Sequence, residues 1–147
     1  MRRFSFRFEK ILMYRRHQEK EKQRQLAVAL NREETQRREI ARVIADREEA
    51  QNRQKQYLVG AISAGRLTRY ARYYLFSRQM ELTGRETLKL LCRETANRRQ
   101  ALVEAARQKK IYEKLKERHW KRFTQTYNLA LQKENDDIGQ KIFIRNQ

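Results

Sequence analysis

The sequence predicts an all-α protein, a long antiparallel two-helix coiled-coil hairpin with room for a short helix at the bend. Three observations carry this. Of 147 residues 37% are charged, none is proline and only four are glycine, so helix-breaking signals are nearly absent. Apolar residues recur at spacings of three and four along two long stretches. Between those stretches stands the only close pair of glycines, Gly60 and Gly65. Hydrophobic residues, at 39%, supply a seam between helices but little for a compact centre, which predicts one elongated domain over residues 1–147. Such charge density also suits a disordered tail, but periodic aliphatics and 10% aromatics oppose that reading.

Arm 1 is expected over about residues 2–58. From Leu26 the spacing 4, 3, 4, 3 passes Leu30, Glu33, Arg37, Ile40, Ile44, Arg47, Gln51 and Gln54 to Leu58, a heptad seam with polar residues in several core slots. Acid-before-base pairs at i,i+4 support the helices: Glu33 with Arg37, Glu34 with Arg38, Glu49 with Arg53, Glu94 with Arg98 and Glu117 with Lys121. Each adds only about 0.2–0.5 kcal/mol when exposed.

The segment GAISAG, from Gly60 to Gly65, is the expected bend, with Ser63 available as a helix cap. Gly84 reads as a break, which leaves residues 67–82 as a short separate helix and assigns bend and short helix to about 59–84. Arm 2 follows over about 85–137. Its stripe is Leu88, Leu91, Thr95, Arg98, Leu102 and Ala105, then Tyr112, Leu115, His119 or Trp120, Phe123 and Tyr127. The tail 138–147 is expected to fray. An arm of about 50 residues is roughly 75 Å long and must be covered to persist in water. Two arms folded together cover each other; an oligomer of single long helices is the alternative.

The net charge of +18 is concentrated in three segments. Residues 1–24 carry nine bases and three acids, residues 107–122 eight bases and two acids, and residues 50–80 six bases and no acid. With a bend near residue 62, opposed positions sum to about 125, which sets residues 2–24 beside 101–123 and joins two basic segments at one end. Such a cluster repels itself and speeds encounter with an acidic partner, so it reads as a docking surface. Near the bend, Leu67, Tyr70, Tyr73, Tyr74 and Phe76 are too many for one stripe of a short helix. Some face outward to bind a partner, or they close the bend on Tyr57 and Leu58.

Chemistry has no foothold in this pattern. Cys92 is alone, His17 and His119 lie far apart in charged helical runs, and no Cys or His cluster stands at metal-ligand spacing. Four scattered glycines build no phosphate cradle, and no G-x-x-x-x-G-K-[ST] occurs. No catalytic residue, cofactor or metal is expected. With no apolar run long enough to span a bilayer and no secretory h-region, the expected location is the cytoplasm.

The opening RRFSFRFEKILMYRRHQEKEKQRQLA resembles the N-terminal signature of FliJ-type flagellar export proteins: alternating phenylalanines, a mixed run ending in a basic pair, then a charged helix. RQKKIYEKLKERHWKRF resembles the same family's C-terminal basic stretch, and KENDDIG its acidic ending. The resemblance implies a cytoplasmic component of the flagellar type III export apparatus, peripheral at the inner face of the cell membrane, folded like the gamma stalk of rotary ATP synthases. Implied partners are the hexameric export ATPase, the cytoplasmic ring of the export gate membrane protein and export chaperones, with membrane association through partners only. Carried over, Phe4, Phe6, Arg7, Phe8, Lys114, Lys116, Arg118 and Lys121 fall at the ring-inserted end, and Leu67, Tyr70, Tyr73, Tyr74 and Phe76 near the gate. The unusually basic balance departs from many relatives. Two alternatives stand beside this reading: a basic helical nucleic-acid-binding protein, favoured by a pI near 10.6 with interleaved aromatics, and the equivalent stalk of a virulence type III secretion system.

Overall fold

The computed structural model describes residues 3–58 and 63–145. Two helices account for nearly all of them, α1 over Glu9–Tyr57 and α2 over Ala64–Arg145. Entry into α1 is set by Phe8, whose carbonyl accepts from the Leu12 amide at 2.9 Å, and Glu9 in the first turn complements the helix dipole. Lys55 does the same for the last turn. Ser63 stands at the cap position of α2, where its carbonyl accepts from the amides of Arg66 and Leu67 at 3.0 and 3.2 Å. Gly60 and the rest of 59–62 lie outside the described residues, whereas Gly65 falls in the first turn of α2.

Gly84 does not break the chain, and residues 67–82 form no separate helix: α2 runs through both without interruption. Glycine inside a helix costs about 1 kcal/mol relative to alanine, but this one answers a packing need. A Cβ at position 84 would stand 3.1 Å from Ile40 Cγ1 and 3.2 Å from Gln36 Nε2, so the bare backbone is what lets Ile40 seat against α2. The Gln36 amide also donates to the Gly84 carbonyl at 3.3 Å. At the other end α2 continues past Asp137 to Arg145, where the sequence predicts fraying.

Contacts divide the chain into two compact units, Met1–Lys20 with Val103–Gln147 and Glu21–Leu102. Within each, α1 and α2 run antiparallel. In the second unit Gln25 meets Arg98, Arg47 meets Glu81 and Gln54 meets Tyr74. In the first, Glu9 meets Lys116, Arg16 meets Glu113 and Glu19 meets Lys109. The numbers of each of these pairs sum to between 123 and 129, close to the register of about 125 that a bend near residue 62 predicts.

The seam of α1 differs at alternate positions from the one expected. Ala29, Gln36 and Ala50 turn inward where the aliphatic pattern favours Leu30, Arg37 and Gln51, and Leu58 is exposed. The expected positions Leu26, Glu33, Ile40, Ile44, Arg47 and Gln54 are buried or half-buried. Facing them on α2 are Ser77 and Thr95, both buried, together with Gly84. Several of the buried seam positions are thus small, and at Gly84, where the approach is tight, a larger side chain would hold the helices apart. All five expected i,i+4 ion pairs form, at 2.7–3.6 Å.

The charged and amide slots in the seam are matched across the helices, whereas the buried hydroxyls of Ser77 and Thr95 have no hydrogen-bond partner among the described residues. Arg47 donates to Glu81 at 2.7 Å, with the two side chains 23% and 14% exposed, and Arg85 reaches the same carboxylate from the next turn. These guanidinium groups hold the Glu81 carboxyl below its ordinary value of 4.5, Arg47 first. Glu33 is lowered likewise, chiefly by Arg37.

Two predictions follow from this packing. Gly84→Leu places a branched side chain where Ile40 sits, so the hairpin should lose about 1–3 kcal/mol, read as an earlier thermal midpoint in helical circular dichroism; an unmoved midpoint would deny the close approach at Gly84. A lowered carboxyl stabilises the fold above its unfolded value and loses that contribution as pH falls through the folded one. The midpoint should therefore drop as pH descends below 4.5, and Glu81→Gln should start lower at neutral pH and flatten that descent.

Candidate functional site

In the first unit the segment before α1 lies against α2. Phe6 is 6% exposed and meets His119 edge-on at 5.6 Å and Phe8 at 5.9 Å. Phe4 meets Trp120 edge-on at 5.0 Å and Phe123 at 5.5 Å, and Phe8 lies 6.4 Å from Tyr112. Leu12, fully buried, continues this apolar line into the first turns of α1. The alternation of the opening sequence thus has an intramolecular cause: Phe4, Phe6 and Phe8 are the residues that fasten the lead segment, while Arg7 between them is exposed, its guanidinium 5.8 Å from the Phe8 ring.

The basic residues of this unit divide by partner. Lys116 pairs with Glu9 across the helices at 2.6 Å, and Lys121 pairs with Glu117 one turn back at 2.9 Å. Lys109, paired with Glu19 at 2.8 Å, has its ammonium held above the ordinary range, first by that hydrogen bond. Lys114 and Arg118 are exposed and, like Arg7, enter no ion pair among the described residues. Of the eight residues expected to dock here, Arg7, Lys114 and Arg118 present free charge and the remainder contribute wholly or partly to packing and pairing within the unit. Trp120, half exposed beside Phe4, joins the surface and is the member that stripe counting alone does not single out.

In the second unit the aromatic cluster splits in two. Tyr70 and Tyr74 face the seam, stacked with ring centres 6.3 Å apart, and the Tyr74 hydroxyl donates to Gln54 Oε1 at 2.7 Å. Burial raises the Tyr74 phenol above its ordinary range. Leu67, Tyr73 and Phe76 point outward, Phe76 with 64% of its surface exposed. A groove runs between the helices, lined on α1 by Ala50, Arg53 and Tyr57 and on α2 by Arg66, Arg69 and Tyr73. Arg66 lies over the Tyr57 ring at 5.7 Å. The signal for this lining was in the spacing: Arg66, Arg69, Tyr73, Phe76 and Met80 step by 3, 4, 3, 4, a second stripe beside the seam.

Neither surface holds convergent acid, base and nucleophile, and no group of three or more His, Cys, Asp or Glu side chains is placed to hold a metal among the described residues. Cys92 is half-buried and receives a weak hydrogen bond from Arg37 at 3.8 Å. No described helix is long and apolar enough to cross a membrane.

Phe6→Ala should release the lead segment. A buried phenylalanine is worth about 3–5 kcal/mol, so protease cleavage within residues 3–8 should accelerate many-fold while total helicity changes little; equal cleavage rates would show that the segment is held some other way.

A comparison with curated proteins and one with solved structures return no match. The sequence profile of the family described as Flagellar FliJ protein matches residues 4–147, from the first packed phenylalanine to the last residue. With that match spanning both units, the chain belongs to the FliJ family and is a component of the flagellar protein export apparatus.

Proposed function

We propose that this protein acts as the export ATPase's stalk: it inserts the unit containing both chain termini into the hexameric ring, promotes ring assembly and activity, and couples the ring to the export gate and to export chaperones. Membership of the family over residues 4–147 carries the reading. Its chemistry is coupling. An asymmetric insert touches ring subunits unequally, and unequal contact is a difference in free energy between their states, which biases where nucleotide binds or is hydrolysed. The exposed Arg7, Lys114 and Arg118 would meet acidic groups of the ring, and the packed phenylalanines would hold that surface rigid. The outward Leu67, Tyr73 and Phe76 would meet the gate, while Tyr70 and Tyr74 support them from the seam. On this reading the protein is no enzyme itself and works in the cytoplasm at the inner face of the membrane.

The test is stimulation of a purified hexameric export ATPase. Reversing Arg7, Lys114 and Arg118 to Glu should lower stimulation by at least about tenfold, as expected when several charged interface contacts are lost, with helicity unchanged. Replacing Leu67 and Tyr73 by Ala should spare stimulation and weaken capture by the gate's cytoplasmic domain. Full stimulation by the triple reversal would remove the basic surface from the mechanism; joint loss of both activities in the Leu67 and Tyr73 variant would refute the division of labour.

A further inference from the structure

Residues 50–80 carry six bases and no acid, the longest stretch of the chain with one sign of charge. The ion pairs of this unit engage Glu33, Glu34, Glu49, Glu81 and Glu94, and among the described residues none reaches Arg66, Arg69, Arg72 or Arg78. All four are exposed. Among them stand Leu75 and Phe76, 71% and 64% exposed, large apolar side chains that no part of the described chain covers.

Their arrangement around the helix matters more than their number. Residues 66, 69, 72, 75 and 78 are three apart, and at about 100° per residue each step turns back about 60°, so the set sweeps an arc of about 240°. The remaining arc holds Tyr70, Tyr74 and Ser77, the seam. A peptide lying in the groove beside Tyr57 and Tyr73 would cover one flank of this arc and leave Arg72, Leu75 and Arg78 in water. Small, laterally mobile anionic headgroups can close around all of it, with Leu75 and Phe76 reaching the acyl boundary. Interfacial basic helices likewise combine arginine with exposed aromatic and aliphatic side chains, which here interleave on one arc instead of taking opposite faces.

We propose that the segment of α2 adjoining the bend docks directly on an anionic lipid surface, through Arg66, Arg69, Arg72 and Arg78 with Leu75 and Phe76. This goes beyond the export reading, which assigns membrane association to protein partners alone. It makes lipid a second holdfast that takes Phe76 and the groove-lining Arg66 and Arg69, and leaves Leu67 and Tyr73 for the gate.

The test is partition of the full chain onto vesicles of equal parts phosphatidylglycerol and phosphatidylcholine at physiological salt, compared with phosphatidylcholine alone. Binding should require phosphatidylglycerol. One base near an anionic surface changes partition about fivefold, so neutralising Arg66, Arg69 and Arg72 to Gln should reduce it about 100-fold. The same change at Lys110, Lys114 and Arg118, of equal net charge, should reduce it less than about threefold. In a Cys92→Ser background, an environment-sensitive dye on Leu75→Cys should shift to the blue on these vesicles and one on Ile111→Cys should not. Equal losses from the two triple variants, binding to phosphatidylcholine alone, or an unshifted dye at position 75 would each overturn the proposal, the last leaving this surface to a protein partner.

Discussion

The hairpin depends on matching polar groups across a narrow seam. A two-helix protein has no third layer to bury, so its interface must be close and its charged and amide groups matched; the small hydroxyls of Ser77 and Thr95 are left buried in this seam without a partner among the described residues. Closeness comes from Ala29, Ala50, Ser77 and Gly84, and satisfaction from Arg47 with Glu81, Gln25 with Arg98 and Gln54 with Tyr74. A polar pair has one partner at one distance, whereas leucines slide past one another at modest cost. These pairs, with the seat of Ile40 against Gly84, hold one register, and the outward residues of α2 take their direction from it.

That constraint explains why the two candidate surfaces look different. In the unit holding both termini, apolar rings close the interface between lead segment and α2, and Lys116 is tied to Glu9, while the exposed Arg7, Lys114 and Arg118 enter no ion pair among the described residues. In the other unit the seam takes two tyrosines inward and their neighbours are turned out by geometry alone. Exposed aromatic and aliphatic residues next to unpaired arginines are costly to leave in water and carry no benefit to the hairpin, which is the physical case for reading them as binding residues.

Much of this was legible in the chain. Helix content, antiparallel pairing, a register near 125 and the five i,i+4 ion pairs all rest on local spacing, and local spacing is what a linear pattern records. Two terminal signatures were enough to point to the family that residues 4–147 match. Less visible were the alternate seam slots. Choosing Leu30 over Ala29 follows hydrophobicity, but in the fold it is the small Ala29 that is buried and Leu30 that is exposed. Gly84 misled as well: its missing side chain reads as flexibility in one dimension and as a socket for Ile40 in three.

Composition and spacing by themselves determined that the protein is two long charged helices with three basic segments, since helix propensity and periodicity are properties of neighbours along the chain. Only the tertiary structure decided which members of each cluster are occupied within the fold. Phe4, Phe6 and Phe8 against α2, Lys116 on Glu9, and Tyr74 on Gln54 are contacts between residues more than a dozen positions apart. Whether a charge or a ring is spent inside the molecule or left for a partner depends on what the opposite helix presents, and no single stretch of sequence contains both sides of that contact.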